Sequence, residues 1–102
     1  MDTSLDRLTA EDFAPLIGDA FAFDAGEPGR LELELVEVNA VPDSGVGTAE
    51  REPFELLSRG PAEPIFAQQI FPLEHPALGR LDVFLVPVGR QQDGARYEAI
   101  FS

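Results

Sequence analysis

Leu31-Glu-Leu-Glu-Leu-Val-Glu-Val38 decides the fold. Apolar and acidic residues alternate with the period of two that an extended strand imposes. Leu31, Leu33 and Leu35 share one face, and Glu32 and Glu34 share the other. The phase then slips, because Val36 and Val38 are apolar and Glu37 is charged. A bulge near Leu35–Val36 restores the alternation by inserting one extra residue. The alternative is a strand covered on both faces there, with Glu37 near an edge.

The same period extends outward in both directions. Phe21 and Phe23 alternate with Ala20 and Ala22, and Asp24-Ala-Gly-Glu-Pro-Gly29 has turn composition, so 20–39 reads as a hairpin. Further strands are expected over Phe54–Arg59, Ile65–Leu73, Leu81–Val88 and Ala95–Phe101. Pro72 points to an edge or a bulge, since proline has no ladder donor. In Leu81–Val88 both Leu81/Val83/Leu85 and Phe84/Val86/Val88 are apolar, which predicts a central strand covered on both sides. Phe84-Leu-Val-Pro-Val therefore reads as core with Pro87 at the strand end, the alternative being an exposed binding edge. Arg90 to Gly94 reads as a polar turn, with Asp93-Gly94 a hairpin signal, and Tyr97, Ala99 and Phe101 share a face. Glu74–Gly79 reads as a compact connection, and residues 40–52 as a charged loop.

One helix precedes the strands. Thr9 is a helix N-cap with Asp12 three residues on, and Leu8 and Phe13 hold the staple positions. Pro15 limits the helix to about Ala10–Ala14, with a tight turn toward Ile17 and a stop at Gly18. Leu8, Phe13, Leu16 and Ile17 form its expected buried side. The helix is expected to cover an open barrel end or the second face of the 81–88 strand. The fold class is thus mainly β: a small antiparallel barrel or sandwich of about six strands with one short N-terminal helix, in a single domain over 1–102.

Several of these segments resemble a family of small bacterial domains of unknown function. They are Leu8-Thr-Ala-Glu-Asp-Phe13, Phe54-Glu-Leu-Leu57 before Arg59-Gly-Pro61, Leu73-Glu-His-Pro-Ala-Leu-Gly79, Phe84-Leu-Val-Pro-Val-Gly89 and Tyr97-Glu-Ala-Ile-Phe101. The resemblance spans nearly the whole chain. It implies a loose association with phage-tail-like or tail-collar-like proteins, hence an accessory or assembly role, and it supplies no catalytic residue.

Composition narrows the chemistry. The chain has no cysteine, which removes disulfides, thiol catalysis and Cys-based zinc sites. His75 is the sole imidazole; beside Glu74 it has the chemistry of a general base, but no motif supplies a nucleophile. Its ordinary reading is a turn residue bonded to a backbone carbonyl. None of Ser4, Ser44, Ser58 and Ser102 lies in a nucleophile elbow. Glu32 and Glu34 have the spacing of a glycosidase pair, about 7 Å by strand geometry, yet a strand face without stacking aromatics reads as solvated. Asp43, Glu50 and Glu52 resemble at most a loose calcium loop, and Gly45-Val-Gly47 lacks the lysine and helix of a phosphate cradle. No catalytic, cofactor or metal residue is assigned, and the chain is expected not to be an enzyme.

Nineteen acids against seven arginines give a net charge of −12. Such a polyanion is repelled by nucleic acid and by anionic membranes, which leaves a protein partner. Contact is expected through an acidic face of Glu32, Glu34 and Glu37, or through a sheet edge by strand addition. The rival is a ligand-binding or catalytic barrel with Arg59, Gln68, Gln69 and His75 around its mouth; a third is an acidic mimic of nucleic acid. The cytoplasm is the expected compartment, since Met1–Leu8 has no secretory pattern. Self-repulsion at this charge weakens the fold, so the melting temperature is expected to rise from low to moderate NaCl; thermal melts in which it falls contradict this.

Overall fold

Six antiparallel strands close into a barrel in the order β1-β2-β3-β6-β5-β4 in the computed structural model. The structure describes residues 8–26, 29–41, 53–63 and 65–101. The strands are β1 (Ala20–Asp24), β2 (Arg30–Ala40), β3 (Phe54–Gly60), β4 (Gln69–His75), β5 (Gly79–Gln91) and β6 (Gly94–Phe101). A single-turn helix α1 (Ala10–Phe13) runs into a tighter turn at Ala14–Leu16. Among the described residues no helix is long and apolar enough to cross a membrane.

The leucine–glutamate stretch behaves as its pattern requires. Leu33 and Leu35 are buried, and the register of β2 against β3 shifts between Leu35 and Glu37. Val36 is the extra residue, and Glu37 faces solvent beyond it. A second bulge lies in β5, where the register on β6 shifts between Pro87 and Gly89 and leaves Val88 over. Pro87 therefore sits inside a long strand at a bulge, not at the strand end.

The barrel is filled by rings. Tyr97, fully buried on β6, stands opposite Ser58 and near Gly60. A β-carbon at Gly60 would come 2.7 Å from Leu33 and 3.2 Å from the Tyr97 ring, so these two small residues leave the room that the ring occupies. Phe66 closes one end: its N–H donates to the Tyr97 hydroxyl at 2.9 Å, and its ring meets Phe23 and Phe71 edge-on. Phe13 closes the other end, 5.8 Å from Phe54 and 5.6 Å from Phe101, which stack on each other at 4.7 Å. The Thr9 N–H donates to Asp12 at 2.8 Å and fixes the turn that delivers Phe13. The helix covers a barrel end and not the outer face of β5.

Four sequence expectations need correction. Ile17 is 48% exposed, because the chain leaves the barrel end after Leu16 to enter β1. The fourth strand begins at Gln69, since the residues before it cross the barrel end with Phe66; it runs on to include Glu74 and His75. Arg90 and Gln91 extend β5, so the turn is confined to Gln92 and Asp93. Phe84 is 52% exposed, on the outer face that no second layer of the described residues covers. Phe13→Ala should accordingly cost about 3–5 kcal/mol and Phe84→Ala less than about 1 kcal/mol. Urea unfolding of the two variants measures the contrast, and equal losses would contradict the placement of both rings.

Candidate functional site

The sole imidazole ends β4 at the start of the turn that joins it to β5. Pro76 pre-sets the turn backbone, and Gly79 closes it with φ 74°. Ala77 N–H donates to His75 Nδ1 at 3.0 Å, which places the imidazole proton on Nε2, directed at Asp19 Oδ2 2.9 Å away. The ring lies 4.7 Å from Phe21 and is buried. Both nitrogens are thus engaged by the protein itself. The bond from Ala77 replaces the backbone carbonyl expected as the ring's partner. The Leu-x-His-Pro-x-Leu-Gly segment is accounted for by this turn: Leu73 points inward and Leu78 packs on the core.

An open groove of about 910 Å³ runs over β1 beside this turn. Ala20 and Ala22 leave it shallow-floored, and Arg30, Glu32, Glu74 and Arg80 line it together with His75. Its charges are largely internal: Arg30 pairs with Glu74 at 3.0 Å, and Arg80 pairs with Asp82 at 3.1 Å. The four residues expected around a mouth do not meet. His75 and Gln69 occupy opposite ends of β4. Gln68 is exposed, and Gln69 donates to the Ala67 carbonyl. Arg59 lies on β3, across the barrel from β4, bound to Glu34 and to Asp93. Asp93 is held below its usual pKa mainly by its hydrogen bond to Arg96.

The acidic trio is likewise divided. Glu32 faces the groove, Glu34 is taken by Arg59, and Glu37 joins a different group. Asn39 donates to Glu37 at 3.1 Å and to Glu55 at 3.4 Å. Glu98 lies diagonally from Glu55, because Glu55 opposes Ile100 while Leu57 opposes Glu98. Burial pushes the Glu98 carboxyl above its ordinary pKa, and the Glu55 charge adds to the shift. The acids Asp43, Glu50 and Glu52 lie outside the described residues.

Beside these acids stands an apolar row. Ile70 on β4 is directly opposite Phe84 on β5. The β5–β6 register that sets Val86 opposite Glu98 carries Phe84 to the level of Ile100. All three are large and more than half exposed: 63%, 52% and 63%. The row ends against Glu55, and half-buried Val86 and Leu57 flank Glu98. Sequence reasoning did not single out Ile70, Ile100, Glu55 or Glu98. The available signal was parity: Tyr97, Ala99 and Phe101 point inward, so Glu98 and Ile100 must point out.

Glu98 binds its proton more tightly in the folded chain than in the unfolded one. Stability from this group is therefore present below the ordinary value of 4.5 and is lost as the pH rises through the raised folded value. The groups facing it are Glu55 from β3 and the uncharged Val86 from β5. Glu98→Gln should raise the melting temperature at pH 7, with a gain that shrinks toward pH 4; a lower melting temperature at pH 7 would contradict the assignment.

No curated protein and no solved structure matches the chain. A family model does, over residues 8–101. Those limits enclose the helix cap, the ring-filled barrel and the outer face described above. The chain belongs to the family described as Domain of unknown function (DUF6916).

Proposed function

We propose that this domain is a non-enzymatic binding or accessory module that works by protein–protein contact through the outer face of β4, β5 and β6. The observation that carries this reading is the cross-strand row Ile70–Phe84–Ile100, three large apolar side chains side by side in water. Contiguous exposed apolar surface of this kind marks interaction sites on soluble proteins. Strand addition is the less favoured mode, because the two margins, β1 and β4, lie against each other across the closed barrel and pair at Ala22–Glu74.

A ligand-binding or catalytic barrel finds less support. Tyr97, Phe23, Phe71 and the leucines occupy the interior, the four mouth residues do not converge, and both nitrogens of His75 have protein partners. A nucleic-acid mimic needs rows of free carboxylates, whereas Glu34, Glu63, Glu74, Asp82 and Asp93 are paired with arginines. The partner is a protein in the cytoplasm, with no direct contact to nucleic acid or membrane. The resemblance to domains found near phage-tail-like proteins makes a component of such an assembly the first partner to test.

The test is capture from host extract by the wild-type chain and by Phe84→Glu, with circular dichroism confirming that both are folded. A protein held by the wild type and lost with the variant is the expected outcome. Equal capture by both excludes this face.

A further inference from the structure

We infer that the partner is a cationic and apolar protein segment, whose Lys or Arg side chains meet Glu98, Glu55 and Glu37 while its apolar side chains cover Ile70, Phe84 and Ile100. The inference rests on the face proposed above and specifies its occupant. Three observations carry it.

First, the apolar and acidic halves form one surface. Ile100 is the direct cross-strand neighbour of Glu55, and Val86 and Leu57 lie on either side of Glu98. A segment lying over the apolar row meets the carboxylates at its next contact. Second, among the described residues the charges here have no cationic counterpart. Among the described residues every arginine has an acidic partner: Arg30 with Glu74, Arg59 with Glu34, Arg80 with Asp82, Arg90 with Glu63 and Arg96 with Asp93. Among those residues no arginine pairs with Glu37, Glu55 or Glu98, and Asn39 is the neutral bridge between two of them. Third, Glu98 is half-buried beside Glu55, so its ionised form is opposed by both burial and a like charge. A cation placed there offsets the like charge and the cost of burial, and the partly desolvated setting strengthens the attraction.

The alternatives fail on charge. A second copy would bring another chain of net charge −12 and another Glu55–Glu98 pair against the first. Nucleic acid and anionic lipid are repelled by the same carboxylates. A neutral apolar partner would cover the row but leave Glu98 charged and further desolvated, which is costly.

The experiment uses a yeast-displayed library of random peptides, selected on the full chain and counter-selected on Phe84→Ser. Recovered peptides are measured against wild type, Phe84→Ser and the double variant Glu55→Gln/Glu98→Gln, all shown to be folded by circular dichroism. The expected result is peptides combining Lys or Arg with large apolar residues. They lose binding to Phe84→Ser, and their affinity falls at least about tenfold on the double variant and also with added salt. Peptides that need Phe84 but are neutral or acidic, or that bind the double variant equally well, overturn the cationic partner and leave the face standing. Recovery of no Phe84-dependent peptide overturns both. Sedimentation that shows a dimer dissolved by Phe84→Ser makes a second copy the occupant and likewise overturns the inference.

Discussion

A barrel of six strands is narrow, and its interior admits little more than one bulky side chain across. Here Tyr97 takes that place. The ring fits because Ser58 faces it with a small side chain and Gly60 with none. Its hydroxyl meets the backbone N–H of Phe66 and so fastens the segment that crosses the barrel end. The other rings are arranged around this one: Phe71 is 5.9 Å from it, Phe23 lies beyond Phe71, and Phe66 caps both. The described core side chains thus pack as one cluster around this ring.

On the outside, the two bulges decide what is presented. The extra Val36 in β2 turns Glu37 outward, where Asn39 gathers it with Glu55. The extra Val88 in β5 comes after Val86, so Phe84 and Val86 keep the phase that sets them beside Ile70 and Glu98. One bulge thus contributes an acid to the face, and the other leaves its apolar row undisturbed. Both devices add local twist, which a small closed barrel needs.

Much of this was legible in the residues. The alternation of Leu31–Leu35, its slip at Val36, the stop at Gly18 and the proline-limited helix all follow from local geometry, and local geometry is what a single sequence carries. Phe84 departs from its sequence pattern for a different reason. Leu81–Val88 is apolar on both faces, and periodicity reports only that two faces are apolar, never whether a second layer exists to cover them. Residues 65–68 failed in a similar way, since Ile65 and Phe66 have strand composition but Phe66 is needed as a plug. The acidic trio does not stay together: Glu32 faces the groove, Glu34 is paired with Arg59, and Glu37 meets Asn39. Glu55 and Glu98 join Glu37 across three strands, and a pairing of that kind depends on strand order, β2-β3-β6, which the spacing of residues along the chain does not encode.

The junction between β1 and β4 differs from the other five. Its ladder registers at a single pair, Ala22 with Glu74, where each of the others registers at five or more. What closes the wall there is side chains: Phe21 on His75, Phe23 on Phe71, and Arg30 reaching over to Glu74. Rings in contact tolerate sliding that a row of amide bonds forbids. The barrel is therefore closed along this junction mainly by tilted and edge-on ring contacts, and native-state opening is expected to begin there while the remaining ladders stay intact.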